Sequence, residues 1–107
     1  MTDVVLVLST VPDDPSAERI ARTLVEEKLA ACVNLFSPMR SVYRWNGDVE
    51  WATERQIVIK TSSSLAAAVQ ERLKALHSYE LPECLVVHVG GGAPDYLAWI
   101  ADQLDAR

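Results

Sequence analysis

The feature that most constrains this chain is one long hairpin, Ala31 to Thr61, turning on Asn46-Gly47. Asn-Gly between β-rich arms predicts a two-residue type I′ turn, because both central residues need positive φ. The descending arm reads Ala31-Cys32-Val33-Asn34-Leu35-Phe36 and then Ser41-Val42-Tyr43-Arg44-Trp45. The ascending arm reads Val49-Glu50-Trp51 and then Gln56-Ile57-Val58-Ile59-Lys60. β-Branched and aromatic residues dominate both arms, as strands require. Each arm of about fifteen residues spans ~45–50 Å when extended. A compact domain of this size has a radius of gyration of only ~13 Å. The hairpin therefore bends, most simply at Ser37-Pro38, where proline removes a ladder donor. It also projects beyond its own globule. A free two-stranded ribbon is marginal in water and its edges invite pairing, so a partner chain is expected, most simply a second copy.

At 107 residues the sequence holds one domain, 1–107, with no room for a second core. Half of the residues are hydrophobic, so a folded globule is expected rather than disorder. The net charge of −5 argues against nucleic acid or an anionic membrane as main partner, since both reward a basic face. No apolar run approaches the length of a membrane span and no signal-peptide pattern opens the chain, which reads as soluble and cytoplasmic. Cys32 and Cys84 sit in apolar runs and read as buried free thiols of a reducing compartment.

In chain order, Val4–Leu8 is a continuous apolar run, read as a central strand buried on both faces. Asp14-Pro15 predicts a helix start, with Asp14 capping and Pro15 at the first helical position. Ala17, Ile20, Ala21, Leu24, Lys28 and Leu29 share a face, and without a terminating glycine this helix is expected to run into Ala30-Ala31. Leu65, Ala68, Val69, Arg72, Leu73 and Leu76 predict a second amphipathic helix ending at His77-Ser78. Cys84 to Val89 reads as a final, fully buried strand, closed by Gly90-Gly91-Gly92. The glycines match neither the P-loop nor the dinucleotide fingerprint. Pro94-Asp95 opens a last helix with Tyr96, Leu97, Ile100 and Leu104 on its apolar side. The order is a doubled βαβ, predicting an α+β, ferredoxin-like βαββαβ sandwich with an extended β-hairpin and an added C-terminal helix. In that topology the last strand is an edge, so a neighbouring hairpin or the terminal helix must cover it.

Several stretches stand out together: Glu27-Lys28-Leu29-Ala30-Ala31-Cys32-Val33-Asn34, then Ser41, Tyr43, Trp45, Gly47, Glu50 and Glu54 along the hairpin. Lys60-Thr61, Pro82-Glu83 and Asp95-Tyr96-Leu97-Ala98-Trp99-Ile100 follow. In this order and spacing they resemble the CutA family, the divalent-cation tolerance proteins. The resemblance implies a ferredoxin-like fold, a homotrimer whose hairpins wrap neighbouring subunits, and an architectural likeness to PII-type trimers. It further implies a link to metal tolerance, with copper binding ascribed to some members and no catalysis. Two positions depart from the family pattern. Ser78 replaces the proline of the usual His-Pro-Tyr-Glu, freeing the backbone. Ser9 stands where some metal-binding members carry cysteine, and is a poorer ligand for a soft ion.

No donors stand at close ligand spacing, and Cys84 and His88, four apart on a strand, are about 13 Å from each other. A site for Cu2+ or another divalent cation is therefore expected only at a subunit cleft, from His77 with Glu54 or Glu80. Cys32 has no local group that would activate it as a nucleophile, and no Gly-x-Ser-x-Gly elbow exists. Tyr43, Trp45, Lys60, Thr61 and Tyr79 are candidates to bind a small anion or nucleotide, with Lys60-Thr61 as an anion-binding pair; the aromatic residues equally suit a subunit interface. Three readings stay open: a metal-tolerance trimer, a PII-like small-ligand sensor, and a trimeric scaffold for another protein.

Overall fold

The computed structural model describes residues 2–105. Its elements are β1 (Val4–Pro12), α1 (Ser16–Glu26), β2 (Cys32–Leu35), β3 (Met39–Trp45) and β4 (Asp48–Ser62). A 3-10 turn (Ser63–Leu65) then leads into α2 (Ala66–Leu76), β5 (Leu85–His88) and α3 (Pro94–Gln103). The strands form one antiparallel sheet in the order β2-β4-β1-β5, with β3 also paired to β4. This is the ferredoxin-like arrangement expected, with β1 and β4 central and β5 at an edge.

α1 and α2 cover one side of the sheet. Ala17, Ile20 and Leu24 of α1 and Val69 and Leu73 of α2 pack on Val5, Val7, Val11, Ile57 and Ile59. Among the described residues the other side carries only α3, at one end, where Ile100 joins Val4 and Ala31. Away from α3, Leu6, Leu8 and Val58 are half-buried there, and Leu85 and Val87 of β5 are exposed beside them. Two expectations change accordingly. β1 is fully buried on its helix side only, and β5 is exposed throughout, because nothing among the described residues covers that edge. Cys32 and Cys84 are free but half-buried, since β2 too is an edge and Cys84 precedes β5.

The hairpin forms as read. Asn46 and Gly47 both take positive φ, 49° and 83°, as a type I′ turn demands. β4 runs unbroken for 15 residues, while its partner is interrupted at Phe36-Ser37-Pro38. Leu35 faces Ile57 and Met39 faces Glu54, so three residues of one arm oppose only Arg55 and Gln56 of the other. The extra residue is a bulge that bends the arm. Arg55 holds the bend by donating to the Phe36 carbonyl at 2.7 Å. Beyond it the ribbon projects, giving extents of 44 × 26 × 23 Å and a radius of gyration of 14.4 Å.

The end of α1 corrects another expectation. The helix does not run on into Ala30: Lys28 turns left-handed at φ 59°, Leu29 N–H donates to Leu24 O, and Lys28 N–H donates to Val25 O. That is a Schellman motif with lysine where glycine is usual. Leu29, following it, enters the core beside Leu24. At the other end the helix begins one residue later than read, at Ser16, whose N–H is capped by the Asp14 carboxylate at 2.8 Å.

Candidate functional site

The root of the hairpin gathers several of the candidate residues. α2 ends at Leu76, and extended backbone at His77 swings the ring under β1. His77 Nε2 lies 2.6 Å from the Thr10 carbonyl, and Nδ1 accepts the Tyr79 backbone N–H at 3.1 Å. An acceptor at Nδ1 and a carbonyl at Nε2 place the ring proton on Nε2. The rings of His77 and Tyr79 lie 4.5 Å apart, centre to centre. The Tyr79 hydroxyl then donates to Glu54 Oε2 at 2.9 Å. Glu54 is only 7% exposed, unusual for a carboxylate. Burial, reinforced by that hydrogen bond, pushes the Tyr79 hydroxyl well above its ordinary pKa. Tyr43 and Asp14 lie near enough to act on the same hydroxyl electrostatically, Tyr43 reaching it from β3. Beside this cluster Gln56 Nε2 donates to the Ser9 carbonyl at 2.6 Å and contacts Glu83 Oε2 at 3.3 Å.

The opposite end of β4 holds the other candidates. Lys60 Nζ donates to the Tyr96 hydroxyl at 3.0 Å, and that bond raises the lysine pKa. Thr61 is fully buried, its hydroxyl donating to the Leu29 carbonyl at 2.7 Å. Lys60 and Thr61, adjacent on a strand, face opposite sides of the sheet and do not grip one anion together. Glu54 and Lys60 are six residues apart on β4, about 20 Å. Trp45 sits at the ribbon tip opposite Asp48, and Tyr43 opposite Glu50. One protomer thus brings His77, Tyr79 and Glu54 together, with Tyr43 nearby, and leaves Trp45, Lys60, Thr61 and the exposed Glu80 apart. Gln56 and Tyr96 were not among the sequence candidates. Gln56 is the partner opposite Thr10 and so was findable from strand pairing; the contact of Tyr96 with Lys60 depends on where α3 lands.

A metal tests poorly against the isolated protomer. Both His77 nitrogens are engaged by backbone and Glu54 is bonded to Tyr79. Ser9 is fully buried, its hydroxyl 3.5 Å from the Thr10 carbonyl that His77 also meets. Among the described residues no group of three or more His, Cys, Asp or Glu side chains is placed to hold an ion. An ion-binding set would need donors from a second copy.

Comparison with known proteins adds four findings. Residues 5–103 match a family described as CutA1 divalent ion tolerance protein. The divalent-cation tolerance protein CutA of Pectobacterium atrosepticum is 45% identical, over 94% of this chain and 91% of that protein. Among solved structures, CutA from Xylella fastidiosa superposes with a TM-score of 0.94 at 49% identity, covering 97% of this chain and 100% of the other. A CutA from Archaeoglobus fulgidus, described as periplasmic, gives 0.91 at 39% identity over 95% and 99%.

Proposed function

The chain belongs to the CutA1 divalent ion tolerance family, and from that premise we propose that it acts as a cytoplasmic homotrimer in the response to divalent cations, copper among them, without catalysing a reaction. The observation that carries the reading is the ribbon. β3 and residues 48–53 of β4 pair only with each other, since the β1 register ends at Glu54. The strip Leu6, Leu8, Val58, Leu85 and Val87, on the side that carries α3, is likewise only half-buried or exposed. Sister copies supply the simplest cover for both, and a head-to-tail ring satisfies every copy alike. Light scattering at micromolar protomer is expected to give three times 11.8 kDa; a stable species of 11.8 kDa would overturn the reading.

In this reading the ion binds at a subunit boundary, with His77, Glu54 and Glu80 as this chain's donors. The His77 ring must first release the Tyr79 amide. Calorimetric titration with Cu2+ and Zn2+ tests this on the wild type, His77→Ala and Glu54→Gln. Binding heats lost in both variants are expected; identical heats in all three proteins remove these residues from the site. Cytoplasmic placement is supported by two free thiols. No helix among the described residues is long and apolar enough to cross a membrane.

A PII-like sensor of a small anion is the second reading. It is favoured by Lys60, whose charge meets a hydroxyl and ring of Tyr96 but, among the described residues, no carboxylate. There Tyr43, Trp45, Thr61 and Tyr79 would line or support the cleft between copies. It expects thermal stabilisation by phosphate or a nucleotide that Lys60→Ala abolishes, with no response to metals.

A further inference from the structure

β2 ends the sheet on one side, and among the described residues no strand pairs with its outer edge. The Phe36 N–H bonds inward to the Gln56 carbonyl. By antiparallel alternation Asn34 also bonds inward, while Val33 and Leu35 turn their N–H and C=O groups outward. β2 is short, but it carries no charge and no proline to repel an added strand. Between this edge and α1 runs an open groove of about 340 Å³. It is lined by the apolar Ala21, Val25 and Val33 and the charged Glu18, Arg22 and Glu26. Val25 is 42% exposed, although Ile20 and Leu24 of the same helix are buried. Arg22 turns along the helix to Glu26 at 3.1 Å, which leaves Glu18 without a basic partner among the described residues. The copies proposed above cover the ribbon and the strip on the α3 side. The groove lies on the α1 side of the sheet, outside both.

We propose that the groove between β2 and α1 receives an extended, lysine-bearing apolar segment of another protein, which joins the sheet as a strand along β2. Three observations support that occupant. The outward N–H and C=O groups of Val33 and Leu35 are spaced for an extended backbone and for no other. A groove between an edge strand and its helix takes the alternate side chains of such a strand, and Ala21, Val25 and Val33 make this one apolar. Charge selects a basic occupant, since Glu18 is unpaired and the chain's net −5 draws cationic partners. The proposal stands apart from the metal and anion readings.

The test uses the full chain and a fluorescent synthetic peptide with valine at alternate positions and lysine between them. Three comparison peptides are N-methylated at the valine amides, N-methylated at the lysine amides, or carry glutamate for lysine. The parent peptide is expected to bind saturably and to slow hydrogen exchange at the Val33 and Leu35 amides. Alternate amides of a strand face opposite edges, so one methylated peptide should lose roughly tenfold or more in affinity and the other should not. Glu18→Lys with Glu26→Lys, and separately Val25→Lys, should weaken binding by roughly tenfold or more. Glu71→Lys, on the exposed face of α2, should not. Light-scattering mass should stay at the wild-type value throughout. Absence of saturable binding overturns the proposal, as does equal binding of the two methylated peptides, of the glutamate peptide, or by the groove variants. A change of mass in those variants overturns it too, by making this edge a contact between copies. If charge reversal unfolds the chain, as circular dichroism would show, Glu18→Gln with Glu26→Gln repeats the comparison.

Discussion

His77 is held from both sides, by the Thr10 carbonyl at Nε2 and the Tyr79 amide at Nδ1, and this double tether delivers Tyr79 to Glu54. Tyr79→Phe leaves a buried carboxylate without its donor, so a loss of about 1–3 kcal/mol is expected in urea unfolding. The pH dependence has a definite sign. A tyrosine whose pKa is raised on folding contributes stability that is fully present below its unfolded value of 10.0 and is lost as pH rises above it. Lys60, also raised, acts in the same direction. Unfolding midpoints should therefore fall from about pH 10 upward, and Tyr79→Phe should flatten that fall. At this scale the sequence was partly legible. His77 and Tyr79 stand two apart at a helix end, a spacing that announces a cluster. The opposed directions of Lys60 and Thr61 were equally legible from strand alternation, and the expectation of an anion-binding pair overlooked it.

The elements separate local signals from long-range ones. Asn46-Gly47 was readable because the turn's need for positive φ lies in the two residues themselves. The stop at Lys28 was not, since tertiary contacts impose it: Leu29 is drawn into the core and the Lys28 carbonyl accepts the Asp105 N–H. Left-handed backbone at a lysine costs roughly 1 kcal/mol that glycine avoids. Lys28→Gly should therefore raise stability by about 0.5–1 kcal/mol in urea unfolding. Strand alternation misleads in a different way on the descending arm. Read continuously, it puts Tyr43 and Trp45 on the side of Val33 and Leu35; the bulge between them reverses the phase. Tyr96, read onto the apolar side of α3, is 44% exposed, meets Lys60 of β4 through its hydroxyl and stacks on Trp99 at 5.6 Å.

For the whole molecule, the sequence conveyed the excess of hairpin over globule, and the long axis of 44 Å expresses it. The exposure of β5 was unreadable, because an apolar run looks the same whether its cover comes from its own chain or another. If copies supply that cover, thermal midpoints should rise with protomer concentration, as scanning calorimetry at several dilutions would show. The bulge at Phe36–Pro38 then takes on a role beyond local bending. About 20 Å of ribbon lies beyond it, so a swing of ~10° there carries the far end some 3–4 Å. That displacement is comparable to the whole range of a van der Waals contact. Deleting Ser37 would straighten the ladder while leaving every side chain in place, and should disperse the assembly, as scattering would reveal. In an assembly of copies such as the one proposed, the spare amino acid would work as an aiming joint, its setting deciding where one molecule meets the next.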